Sequence, residues 1–205
     1  SKEIVVREAV SGETMTTLDG TDRELVAGDL VITDGVKPIA IAGVMGGLET
    51  EVTDQTTNVL LESALFDRLS VRQTSTRLGL RSESSARFEK GIDPNRTELA
   101  LNRAAELLAQ LANGEVCQGI VACDEWVMTP VVIEITADKI NSVLGTTMTT
   151  DEVATIWERL GFAYTVDQEV FKVNVPSRRL DITIVEDLIE EAGRIYGYDN
   201  IPMTL

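Results

Sequence analysis

Apolar residues in this chain come in short runs, and glycine, proline or an Asp/Asn turn closes each run within a few positions. No run approaches the roughly 20 residues needed to cross a bilayer, so no membrane span is expected. The punctuation points to a chain of small strands and helices. Hydrophobic residues make up 43% of the 205, too many for a disordered chain and enough for one or two cores.

The first third reads as strands and turns. Residues 29–33 and 37–42 flank Asp34-Gly35, a hairpin signal because such a turn needs positive φ. Residues 58–63, Asn-Val-Leu-Leu-Glu-Ser, read as a further strand interrupted by one carboxylate. Asp67 suits the N-cap of a helix running to Leu78, with Gly79 as its stop. A longer helix is expected over 97–112, with an apolar stripe of Ala100, Leu101, Ala104, Leu107, Leu108 and Leu111 and a stop at Asn113-Gly114.

A boundary is expected near Asp124 to Pro130, giving domains 1–125 and 126–205. Beyond it come a strand at 131–136, a helix at 138–144 and a Thr149–Glu152 capping box opening a helix to Leu160. A hairpin at 162–165 and 170–175 follows, then a last helix over 183–196. Helix, helix, hairpin is a winged-helix-like order. The fold class is therefore α+β: a partial mixed α/β domain followed by a small winged-helix-like α+β domain.

Charge and cysteine content restrict the chemistry. There are 34 acidic against 18 basic residues, a net charge of −16, which argues against nucleic-acid binding by bulk electrostatics. One stretch, Arg68 to Arg96, is locally basic; it is either a solvated face with internal ion pairs or a binding surface. Two cysteines and no histidine make a poor zinc pattern and a thin disulfide framework, so a reduced, cytoplasmic setting is expected. Ser1-Lys2-Glu3-Ile4 lacks the features of a secretory signal, and without an initiator methionine the chain reads as starting inside a longer protein.

Four features could carry function. Residues 42–47, Ala-Gly-Val-Met-Gly-Gly, follow a strand and let backbone N–H groups approach a ligand, or simply form a tight loop. The loop matches neither a P-loop nor a dinucleotide fingerprint. Glu62, within an apolar run, either serves a ligand or points to solvent. Ser82, Ser84 and Ser85 either cap a helix or bind a ligand hydroxyl or amine. Asp187, Glu190 and Glu191 stand at i, i+3 and i+4, with Asp181 just ahead of them. Four carboxylates without histidine or cysteine suit a hard cation such as magnesium; equally, acids favour the first half of a helix, and Arg194 can pair with Glu190.

Three long motifs then converge: Ile39-Ala-Ile-Ala-Gly-Val-Met-Gly-Gly47; Val59-Leu-Leu-Glu-Ser-Ala64 with Val71 to Pro94; and Val175-Pro-Ser-Arg-Arg-Leu-Asp181 continuing to Pro202. In this order, along nearly the whole chain, they resemble the bacterial phenylalanyl-tRNA synthetase beta-subunit family. The resemblance implies a tRNA-editing domain, its C-terminal part, that hydrolyses tyrosine wrongly attached to tRNA(Phe). Gly43 and Gly46 would line the amino-acid pocket, Glu62 would recognise the tyrosine hydroxyl, and Ser82 and Ser84 would be small pocket residues. The second module would be the winged-helix-like domain, with Mg2+ on Asp181, Asp187, Glu190 and Glu191. Expected partners are tRNA(Phe) and the alpha subunit, in a heterotetramer of two alpha and two beta chains, supporting ATP-dependent attachment of phenylalanine.

The family's editing site also uses residues, a histidine among them, that lie upstream of this sequence. The fragment alone is therefore expected to edit poorly, with its first domain incomplete. Two other readings stand beside editing: a non-catalytic subunit-interaction module docking through the acidic last helix, and a small-ligand binder resting on the glycine loop alone.

Overall fold

The structure, a computed structural model, describes residues 3–123 and 129–202. The chain forms two compact units, Ser1–Cys117 and Gln118–Leu205. The boundary expected at residue 125, and the linker expected from Trp126, fall largely on 124–128, outside the described residues.

The first unit is built on an antiparallel sheet. Strands β1 (Val5–Glu8), β4 (Leu30–Thr33), β5 (Pro38–Ile41) and β6 (Met45–Gly46) lie in the order β1-β4-β5-β6. A separate hairpin pairs β2 (Thr14–Thr16) with β3 (Asp22–Glu24). The Asp34-Gly35 turn forms as its residue types dictate: Asp34 accepts from the backbone N–H of Val36 and Lys37 at 2.9 Å, and Gly35 has φ +85°. Helix α1 (Arg68–Arg77) starts at the expected cap, where the Asp67 side chain accepts from the Ser70 N–H. A buried carboxylate ties this helix to the sheet: Asp29, 3% exposed, accepts from Thr74 Oγ1 at 2.9 Å and from Arg77. The core of Leu25, Val31, Ile41, Val44, Val71 and Leu80 closes between them.

Two expectations here are corrected. Residues 58–63 form no strand; residues 57–60 are exposed and pair with none of the described strands. A β-rich composition forms a strand only where a ladder partner satisfies its backbone. The polar stretch after Gly79, read as a segment between helices, contains one more helix, α2 (Glu83–Phe88). Helix α3 (Thr97–Ala112) forms as its periodicity demands and ends at Asn113 with φ +51°. Its apolar stripe nevertheless buries no residue: Leu108 is 37% exposed and Leu111 81%.

The second unit follows its predicted order closely. Strand β7 (Val131–Thr136) leads into α4 (Ala137–Leu144) and α5 (Thr150–Leu160), then the hairpin β8 (Ala163–Asp167) and β9 (Val170–Val175), then α6 (Val185–Tyr196). The sheet order is β7-β9-β8, all antiparallel. Thr149 and Glu152 form the predicted capping box. Trp157, Phe171, Ile140, Val153, Val173 and Leu188 are fully buried at the centre. Together the two units make the mixed α+β chain expected, with six helices among the described residues.

Candidate functional site

The glycine loop is the turn between β5 and β6. Gly43 has φ +68°, a backbone region that L side chains avoid. Space forbids a side chain there as well. A Cβ on Gly43 would lie 2.9 Å from Val71 Cγ2, 3.1 Å from Phe66 Cδ2 and 3.3 Å from Phe88 Cγ. Phe66 and Phe88 pack against each other with ring centroids 5.1 Å apart. Sequence reasoning missed this aromatic pair. A signal existed: Phe66 precedes the Asp67 cap and Val71 stands at N4, the two positions of a hydrophobic staple.

Two serines close the turn from the other side. Ser82 Oγ donates to the Val44 carbonyl oxygen at 2.5 Å, and Ser84 Oγ donates to the Gly43 carbonyl oxygen at 3.0 Å. Ser82 also caps α2, accepting from the Ser85 N–H at 3.0 Å. Capping and loop contact are therefore one arrangement, not alternatives. Gly46 sits in β6, where a Cβ would meet Leu18 Cδ1 at 3.3 Å. Gly43, Gly46, Ser82 and Ser84, drawn from two motifs nearly forty residues apart, thus share one locus. The backbone N–H groups of Val44 and Gly47 already donate to the carbonyl oxygens of Ile41 and Ile39. That narrows which amides of the loop could stabilise an anion.

Glu62 lies four residues before Phe66, on a segment tied to α3 by Ser63 Oγ donating to the Thr97 carbonyl oxygen at 2.7 Å. The residue is exposed, yet desolvation by the surrounding protein raises its carboxyl above the ordinary range. Among the described residues no hydrogen bond or ion pair engages it.

The four acidic residues of the second unit do not converge. Asp181 and Glu191 both grip Arg179, at 2.5 and 3.0 Å, and Glu191 also pairs with Arg194 at 2.5 Å. The Arg179 and Arg194 guanidiniums hold Glu191 down to about 2, and Arg179 lowers Asp181. Asp187 accepts from the N–H groups of Thr183 and Ile184 at 2.7 and 3.0 Å, which lowers it and fastens the start of α6. Glu190 is exposed. Among the described residues no three His, Cys, Asp or Glu side chains stand close enough to hold one metal ion. In this arrangement Arg179, which also lies 5.8 Å over the Phe162 ring, supplies positive charge beside Asp181 and Glu191. No helix of the described residues is long and apolar enough to cross a membrane.

Comparison with known proteins places these features. The chain is 55% identical over all 205 residues to the phenylalanine–tRNA ligase beta subunit of a Bacillus cereus strain, covering 25% of that protein. It is 55% identical to the same subunit of Staphylococcus haemolyticus and 54% to that of Geobacillus kaustophilus, covering 26% of each. The chain thus spans about a quarter of the length of these relatives. A solved N-terminal fragment of the phenylalanyl-tRNA synthetase beta subunit from Pyrococcus horikoshii aligns with 96% of this chain and 56% of its own, at TM-score 0.47 and 14% identity. The tRNA synthetase B5 domain model matches residues 133–198. The B3/4 domain model matches residues 1–113, more than half of the sequence, and the chain belongs to that B3/4 domain family.

Proposed function

We propose that the chain is part of a phenylalanine–tRNA ligase beta subunit, and that its first unit contributes to hydrolysis of tyrosine wrongly joined to tRNA(Phe). The observation that carries this reading is the joint at Gly43–Val44. A glycine turn with no room for side chains is closed by Ser82 and Ser84, and the partly desolvated Glu62 carboxyl lies four residues before Phe66, whose ring stands against Gly43.

The chemistry is a matter of selection. A synthetic pocket shaped for phenylalanine rejects an analogue with one added hydroxyl only weakly, so a second check is needed. A pocket holding a desolvated carboxylate reverses the preference: tyrosine supplies a hydroxyl that donates to it, and phenylalanine leaves it unpaired. Glu62 would be that acceptor. The part of the site within this chain holds no histidine; its own contribution to hydrolysis would be loop amides that orient a water and the ester, beside the terminal ribose hydroxyl of the tRNA. The setting is cytoplasmic, with the alpha subunit and tRNA as partners; magnesium serves the ligase as a whole, and no step here is assigned to it.

The test is release of tyrosine from Tyr-tRNA(Phe) by the complete alpha-beta enzyme, wild type against Glu62→Ala. The variant should lose about 10–100-fold in tyrosine release, the worth of one hydrogen bond to a charged acceptor, while charging of phenylalanine is unchanged. Equal release by both enzymes removes Glu62 from the pocket.

A second reading concerns the second unit. Glu186 and Glu190, one helical turn apart on α6, are both exposed and make no ion pair among the described residues. They offer an acidic face for docking the alpha subunit. Glu186→Gln with Glu190→Gln should weaken alpha-beta assembly in sedimentation; unchanged assembly removes this reading.

A further inference from the structure

The last helix of the second unit carries its acids in two kinds of surroundings. Glu186 and Glu190 are exposed and make no ion pair among the described residues. Glu191 is 7% exposed, and a carboxylate so placed needs its charge matched. Arg179, on the loop before α6, supplies the match. Its Nη1 and Nη2 donate to the two Glu191 oxygens, both at 3.0 Å, and its Nε and Nη2 donate to Asp181 at 2.9 and 2.5 Å. One planar guanidinium thus bridges two carboxylates, a geometry its fixed fork of donors allows and an ammonium group does not. Arg194 donates to Glu191 Oε2 as well, at 2.5 Å.

Arg179 is held from other sides too. Its guanidinium lies 5.8 Å over the ring of Phe162, a residue 4% exposed. Its backbone N–H donates to the Pro176 carbonyl oxygen at 2.9 Å, and the neighbouring Arg178 donates to the Leu160 carbonyl oxygen at 2.9 Å. The charges close within the cluster, where Arg179 and Arg194 stand against Asp181 and Glu191. A hard divalent ion wants about six oxygens or more. Asp187 is turned to the N–H groups of Thr183 and Ile184, which leaves Glu190 as the one acid of the four without such a bond among the described residues. In this arrangement the four carboxylates do not form a site for such an ion.

We propose that Arg179 is the resident counter-cation of Asp181 and Glu191, and that it fastens the loop over 176–184 to α6 in place of a divalent ion. The inference concerns the second unit alone and goes beyond both the editing and the docking readings. An arginine keeps its charge at any pH a protein meets, and this tether is part of the chain. The loop and α6 therefore stay joined whatever the free magnesium concentration, with Glu186 and Glu190 left exposed.

The test is amide hydrogen exchange of the complete alpha-beta enzyme, read by mass spectrometry in peptides spanning residues 176–194, with excess MgCl2 and with EDTA. Wild type should show the same protection in both. In EDTA, Arg179→Gln should lose about tenfold in protection there, an effect between the exposed and buried ion-pair limits, while β8 and β9 keep theirs. Wild-type protection that falls in EDTA and returns with MgCl2 overturns the proposal, because a metal would then be the tether. Protection in Arg179→Gln equal to wild type overturns it as well. If Arg179→Gln does not assemble, Arg179→Lys, which keeps the charge but loses the fork, carries the comparison. It should lose part of that protection, and exchange equal to wild type overturns the proposal equally.

Discussion

The second unit closes one well-filled apolar core, whereas the first leaves much of its apolar and basic surface without a partner among the described residues. Among the described residues sixteen buried side chains form the core of the second unit, against eight in the first, although the second is the shorter. Arg179 and Arg194 lie against Glu191. In the first unit α3 buries none of its leucines, residues 57–60 pair with none of the described strands, and four cations lack an ion pair among the described residues. The comparison separates residues that hold a fold from residues that remain available for something else. A group already engaged inside the protein, such as Asp181 or Ser85, has little left for a ligand.

Substitutions can break or sharpen this contrast. The largest effect is expected from Trp157→Ala, which empties the centre of the second core and should cost about 3–5 kcal/mol, read as lost amide protection in β7, β8 and β9. Trp157→Phe should cost much less, since Nε1 has no hydrogen-bond partner to lose. In the first unit Gly43→Ala should cost about 2–4 kcal/mol, combining a left-handed backbone with a clash against Val71; calorimetry of the 205-residue chain would show it. Glu191→Gln should cost about 2 kcal/mol, between the exposed and buried ion-pair limits. It should also change acid stability. Glu191 is lowered from 4.5 to about 2, so its contribution is complete above 4.5 and fades as pH falls towards 2; the variant should lose that part of the acid transition. The smallest effect is expected from Leu111→Ala on α3, within about 0.5 kcal/mol for an exposed position. A loss of 2 kcal/mol there would show that the stripe is covered, and the contrast between units would fail.

The second unit was legible because its signals are local. Thr149 to Glu152, Gly145, Gly161 and the alternation in β9 each fix an element within a few residues. The first unit was legible where turns are short, as at Asp34-Gly35, and obscure where structure depends on distant partners. Nothing near residues 58–63 announces that none of the described strands lies beside them. Helix α2 is hidden in the sequence because its six residues carry no apolar period, and Ser82 as a cap is its one local signal. The site was half legible. The glycine cluster and the serines were picked out separately, but their direct hydrogen bonds connect segments far apart in sequence. The carboxylate spacing on α6 is real, yet spacing alone could not show that Arg179 reaches across from the preceding loop to take Asp181 and Glu191.

The most direct test is the pH dependence of tyrosine release from Tyr-tRNA(Phe) by the complete enzyme, wild type and Glu62→Gln, with Phe-tRNA(Phe) beside it. Ionised, the Glu62 carboxyl accepts a stronger hydrogen bond from the tyrosine hydroxyl than it does when protonated, and desolvation shifts that ionisation upward in pH. Wild-type kcat/KM for tyrosine should therefore climb through an acid limb centred above the ordinary glutamate value of 4.5. That limb, together with the preference for tyrosine over phenylalanine, should be missing in Glu62→Gln. Superimposable profiles for the two enzymes, with the tyrosine preference intact, would contradict the account.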